Sequence, residues 1–122
     1  MIWNEKIETM STDEMQANQL KSLQETVAWV YERVPFYKNK LDDMGVKPDD
    51  IKSLEDTAKL PFTVKTDLRD NYPFGLCAVP MNEVVRVHAS SGTTGKPITG
   101  PYTAQDLDDW AECMARCLSA NG

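Results

Sequence analysis

The sequence has no uninterrupted stretch of about 18 apolar residues, so no membrane-crossing helix is expected. Cysteine is scarce: Cys77, Cys113 and Cys117 are odd in number and form no CxxC pair. That argues against a disulfide framework and fits a reduced, cytoplasmic setting. The single histidine, His88, has no companion at metal-ligand spacing. Basic residues are outnumbered, 13 against 19 acidic, which gives a net charge of −6. A general nucleic-acid binder or a protein for anionic membrane surfaces needs a basic face, so neither partner is expected. A nucleotide needs only a local positive site and is not excluded. Residues 1–8 lack a basic segment followed by an apolar one, so no signal peptide is expected.

What is present suits one modest domain: 122 residues, 41% hydrophobic and 26% charged. Ser11 followed by Glu14 is a capping-box pattern. From there Leu20, Leu23, Val27, Val30, Tyr31 and Val34 recur at helical spacing, and Pro35 ends the run. The stripe predicts a long helix facing its own core. A shorter helix is predicted over 36–44, with Gly45 as its left-handed stop. Residues 46–51 read as a turn, Ser53 as the cap of one helical turn over 54–58, and 60–63 as extended. Thr66 reads as the cap of a short turn through Arg69, and 71–76 as a loop in which Tyr72 and Phe74 pack locally. Residues 84–89 form the first convincing strand, with Val85 and Val87 on a buried face and Arg86 and His88 on a polar one. A second extended piece is predicted over 98–102. Thr103 then caps a final helix whose apolar stripe is Leu107, Trp110, Met114 and Leu118, with Cys117 beside it. The chain thus reads as α+β: a mainly helical region over 1–80 and a strand–loop–strand–helix unit over 81–122.

The loop between the two extended pieces is the most informative stretch. Ser90, Ser91, Gly92, Thr93, Thr94, Gly95 and Lys96, followed by Pro97, pack hydroxyls, glycines and a lysine together. Glycines let backbone N–H groups turn to one side, hydroxyls add donors and lysine adds charge, a composition suited to an anion. Walker A fails at two positions, because Ser90 stands where glycine is required and Pro97 where the magnesium-binding hydroxyl would be. The dinucleotide pattern GxGxxG is absent. A ligand-free polar hairpin is the plain alternative from composition alone. The pattern that fits at every position is [ST]-[ST]-G-T-T-G-x-P, the phosphate loop of adenylate-forming enzymes.

Two further blocks, with the loop and the two residues before it, extend the likeness. Residues 30–37 (VYERVPFY), 60–75 (LPFTVKTDLRDNYPFG) and 88–97 (HASSGTTGKP) resemble phenylacetate–CoA ligases, with similar spacing between them. The resemblance covers nearly the whole chain. It implies the amino-terminal part of a longer enzyme, in which residues 81–122 open the large N-terminal α/β domain. It further implies a two-step reaction: phenylacetate and MgATP give an acyl-adenylate and pyrophosphate, then CoA displaces AMP. ATP, Mg2+ and CoA are the implied cofactors or substrates. Ser90, Ser91, Gly92, Thr93, Thr94, Gly95 and Lys96 are the implied ATP phosphate-binding residues, Lys96 contacting the phosphate tail rather than acting as the catalytic lysine. The acid pocket, the adenine and ribose contacts, the magnesium carboxylate and the catalytic lysine belong to later segments, so the chain alone is expected to be inactive. Another aryl or carboxylic acid, or a stand-alone nucleotide-phosphate module, is the alternative.

Other residues read as structural. His88 is a strand histidine two residues before the loop. Cys113 and Cys117 are four apart on a helix and read as buried small hydrophobes rather than metal ligands. Trp110 reads as packing. The acidic pairs Asp42–Asp43, Asp49–Asp50 and Glu55–Asp56 read as solvated surface. Residues 117–122 reach a helix stop with nothing after it to cover the stripe, which predicts a fragment. The uncovered stripe and strand edges predict a homo-oligomer with exchanged elements.

Overall fold

Ser11 opens the longest element. Its hydroxyl accepts the Glu14 N–H, and the Glu14 carboxylate accepts the Ser11 N–H at 3.0 Å. Helix α2 follows over Thr12–Arg33. The computed structural model describes residues 1–91 and 97–122. A short helix α1, Glu5–Glu8, precedes α2, and α3, Pro35–Asp43, follows it directly. Pro35 ends α2 and starts α3 at once, because the N–H it lacks is unpaired in a first helical turn anyway. Gly45 stops α3 at φ 68°, a backbone region open to glycine. Two 3-10 turns, Pro48–Asp50 and Leu54–Lys59, lead to α4, Lys65–Asp70.

The core sits where α2, α3 and the first 3-10 turn meet. Val27, Leu41 and Ile51 are buried together, with Leu23, Tyr31, Val46 and Leu60 packed around them. The stripe of α2 therefore faces its own core, as its spacing predicts. Gln24 Nε2 donates to the Ile51 carbonyl at 2.8 Å and ties the following segment to the helix.

The acidic excess has a structural use. Besides Glu14, the carboxylates of Asp50, Asp56, Asp67 and Asp106 each reach back to a backbone N–H at the start of their own helix or turn. A negative group there satisfies an orphan donor and complements the helix dipole. Asp42 accepts from Lys38 Nζ at 2.6 Å, Tyr31 Oη at 2.7 Å and Lys47 Nζ. These three donors, Lys38 first, hold its carboxyl well below the usual range. Asp42, Asp50 and Asp56 are thus engaged rather than merely solvated. Thr66 is not a cap: α4 begins after Val64, and the Val64 N–H is taken by Asp67 at 2.9 Å.

Strand β1, Val84–Ala89, pairs antiparallel with β2, Thr99–Thr103. Helix α5, Ala104–Asn121, follows through a capping box of Thr103 and Asp106. The expected buried valine face of β1 is not found: residues 85–89 are all exposed. Val85 is 59% exposed and Val87 45%, whereas His88 packs against Tyr102 of β2 and Trp110 of α5, with ring centroids at 5.0 and 5.7 Å. Tyr102 and Trp110 stack on each other at 5.9 Å. An α5 laid over the histidine side leaves the valines outward.

Helix α5 also meets the N-terminus, through a polar face. Glu112 accepts from Trp3 Nε1 at 2.9 Å and Asn4 Nδ2 at 2.7 Å. Arg116 lies 3.8 Å from Glu8, and the Met1 ammonium donates to the Ser119 carbonyl at 2.9 Å. With residues 112, 116 and 119 turned to the N-terminal segment, Cys113 and Cys117 face outward. Both are exposed, not buried as expected. Trp110, Met114 and Leu118 are exposed too.

Candidate functional site

The candidate site stands on the β1–β2 hairpin. The register Val87↔Pro101, His88↔Gly100, Ala89↔Thr99 runs up to the loop. One more rung closes it. The Ser90 N–H donates to the Ile98 carbonyl at 2.9 Å, and the Ile98 N–H donates to Ser90 Oγ, also at 2.9 Å. Thr99 Oγ1 donates to the Pro73 carbonyl, which fastens the start of β2 to the turn after α4. The two ends of the loop are therefore held by the sheet and by the 71–76 turn.

Of the predicted phosphate-binding residues, Ser90 and Ser91 are exposed at the mouth of this hairpin. Gly92, Thr93, Thr94, Gly95 and Lys96 lie outside the described residues. His88 is on the strand two residues before the loop, within the aromatic cluster of Tyr102 and Trp110. The pair of hydrogen bonds between Ser90 and Ile98 and the Thr99–Pro73 tie were not anticipated from the sequence. The matching register of Ala89 and Thr99 is the signal that locates the first, since an antiparallel ladder next pairs 90 with 98.

Concave surfaces occur both away from the hairpin and beside it. A groove of about 920 Å³ runs between α1 and α2, lined by Ile7, Met10, Met15, Leu23 and Arg116 among others. None of its lining residues belongs to the hairpin, and it takes no part in the candidate site. A cleft of about 370 Å³ lies beside β2, lined by Trp29, Leu76, Cys77, Val79, Pro101 and Asp106 among others. Among the described residues, no group of three or more His, Cys, Asp and Glu side chains is placed to hold a metal. No helix among them is long and apolar enough to cross a membrane.

No protein-family model matches the chain. It is 57% identical over 118 residues to the phenylacetate-coenzyme A ligase of Aromatoleum evansii, covering 97% of this chain and 27% of that protein. The ligase of the same name from Thermus thermophilus is 54% identical over 122 residues, covering 100% of this chain and 27% of that protein. That of Escherichia coli is 55% identical over 125 residues, covering 100% and 29%. Among solved structures, a 2-hydroxyisobutyryl-CoA ligase in the postadenylation state in complex with 2-HIB-AMP matches with a TM-score of 0.84 at 34% identity. The match covers 94% of this chain and 25% of that one. The same ligase with 2-HIB-AMP and CoA in the thioesterification state matches with a TM-score of 0.80 at 37% identity, covering 88% and 24%. The chain spans between a quarter and a third of the curated relatives it matches, 26% to 29% of their length. Identity above one residue in two along the whole chain, with a shared fold, places it: the chain belongs to the phenylacetate–coenzyme A ligase family.

Proposed function

We propose that the chain is the amino-terminal part of an AMP-forming ligase that joins phenylacetate to CoA through an acyl-adenylate. The single observation that carries this reading is the 54–57% identity to three phenylacetate-coenzyme A ligases over 97–100% of the chain. In it, residues 1–80 are a helical region and residues 81–122 begin the adenylation domain with a strand, a phosphate loop, a strand and a helix.

Ser90 to Lys96 would surround the β- and γ-phosphates of ATP. The acid's carboxylate attacks the α-phosphorus and pyrophosphate leaves with its bridging oxygen negative. Hydroxyl and backbone donors, with the Lys96 ammonium, stabilise that charge as it develops. The CoA thiolate then attacks the acyl carbonyl and AMP departs. Magnesium accompanies ATP in this reading, but the described residues offer no carboxylate cluster for it. The acid pocket and the catalytic lysine likewise lie in parts of the ligase beyond this segment. Three free cysteines fit a reduced, cytoplasmic setting. The outward face of Trp110, Met114 and Leu118 suits self-association of the isolated segment. The 2-hydroxyisobutyryl-CoA ligase has the same fold over this region at 34–37% identity. Higher identity to the phenylacetate ligases is what favours an aryl acid here.

Phenylacetate-dependent exchange of labelled pyrophosphate into ATP by the full-length ligase containing this segment tests the proposal. Exchange no faster with phenylacetate than with no acid overturns the substrate assignment. Thr94→Ala should lower kcat/KM for ATP on the order of 10²-fold, the loss typical of one donor at developing charge. The isolated 122-residue chain should show no turnover.

A further inference from the structure

We infer that Ser90 is a positioning residue, the lock at the neck of the loop, rather than one more phosphate contact. The inference rests on the phosphate-loop reading above and gives one of its seven residues a different task.

The last rung of the hairpin is unequal. In an antiparallel pair of this kind, each residue gives its N–H to the other's carbonyl. Here the outward bond is ordinary, Ser90 N–H to the Ile98 carbonyl at 2.9 Å, but the return bond from Ile98 N–H ends on Ser90 Oγ at 2.9 Å. A side chain has replaced a backbone acceptor at the point where the strands part. Ser90's own N–H is spent on Ile98 and cannot face a phosphate. One acceptor site of its hydroxyl is spent as well.

The residue type follows from this geometry. The acceptor sits one carbon from Cα, which serine and threonine provide and alanine does not. Beyond the lock, Thr99 Oγ1 donates to the Pro73 carbonyl, so residue 98 is held by Ser90 across the rung and followed by a bonded neighbour. One fixed pair, Ser90 and Ile98, thus stands at the neck of the loop.

Amide exchange in the 122-residue chain and kinetics in the full-length ligase test this together. Ser90→Ala should speed exchange of the Ile98 amide about fivefold, the effect of one ordinary hydrogen bond, and Ser90→Thr should restore protection. The Val27 amide in α2 serves as the control that the chain is folded. An Ile98 rate unchanged in Ser90→Ala, with Val27 protected, overturns the lock. In the ligase, Ser90→Ala should lower kcat/KM for ATP and Ser90→Thr should retain it. Ile98→Pro, which removes the same N–H, should add nothing to Ser90→Ala. Additive losses would mean that Ser90 acts on the phosphate directly and would overturn the proposal. Thr94→Ala separates the two levels: if it leaves ATP kinetics unchanged, the phosphate-loop reading itself fails, whatever Ser90 does.

Discussion

Lys40 Nζ stands 2.7 Å from the Asp67 carboxylate, joining α3 to the first turn of α4 across 27 positions of sequence. The same ammonium donates to the Phe62 carbonyl at 2.9 Å, and the same carboxylate oxygen accepts the Val64 N–H at 2.9 Å. One ion pair thus fastens the last residues of the link, Phe62 and Val64, between the two helices. It also places α4, whose following turn holds Thr99 through the Pro73 carbonyl. One path from the helical core to the neck of the loop runs through this contact.

Lys40→Met keeps the alkyl stem and removes the charge. The Lys40 ammonium is the first cause, and the Val64 N–H the second, of an Asp67 carboxyl held below its ordinary value. In the variant, the Asp67 pKa read by carbon-detected NMR titration should rise toward about 3.9, and the urea midpoint should fall. An unmoved Asp67 pKa would show that the pair is not formed in solution.

Ile51 is 1% exposed and packs with Val27 and Leu41 in the cluster that the helical half is built on. Ile51→Ala should cost about 2–5 kcal/mol, and Ile51→Val about 0.5–1.5 kcal/mol. A domain of ordinary stability has about 5–15 kcal/mol in all, so the alanine variant removes a large share of it. Urea unfolding followed by far-ultraviolet dichroism measures both. Equal costs for alanine and valine would mean that the site collapses around the smaller side chain.

What the sequence made legible was local. The capping pairs Ser11–Glu14 and Thr103–Asp106 are three residues apart, so the starts of α2 and α5 could be read directly. Gly45 and Pro35 act on their own backbone and marked the ends of α3 and α2. The faces of β1 were not legible, because Val85 and Val87 alternate with Arg86 and His88 whichever side α5 covers. Only the position of Trp110 against His88 decides it. The exposure of Cys113 and Cys117 has the same origin: it follows from Glu112 meeting Trp3 and Asn4, more than a hundred positions away. At the candidate site, residue types announced an anion loop. The work of Ser90 depended on Ile98, and composition carries no sign of that pairing.

Trp110, Met114 and Leu118 follow one another at steps of four residues on α5 and are all exposed, Leu118 by 67%. An exposed apolar row of this kind favours association. The chain should sediment as a dimer or larger species at tens of micromolar, and Leu118→Lys should shift it toward monomer while leaving helix content unchanged. A wild-type chain that sediments as a monomer at that concentration would refute the expectation.

Acid should loosen the helical half through Asp42 more than through any solvated carboxylate. Lys38, Lys47 and Tyr31 all donate to it, and they hold its carboxyl well below the ordinary value. A depressed carboxylate stabilises the fold fully above its unfolded pKa of about 3.9 and loses that contribution as pH falls below it. Lys47, raised above its ordinary value mainly by Asp42, runs the other way. Its contribution is complete at every pH below about 10.4 and does not vary across the acid range while Asp42 stays ionised. Asp42→Asn should therefore be less stable than wild type at pH 7, and the gap should close as pH falls from about 5 toward 2. The slope of stability against pH should shrink by up to about one proton in that window. Urea titrations of both chains at intervals across it read the slope directly, and parallel curves would show that Asp42 carries no linkage to folding.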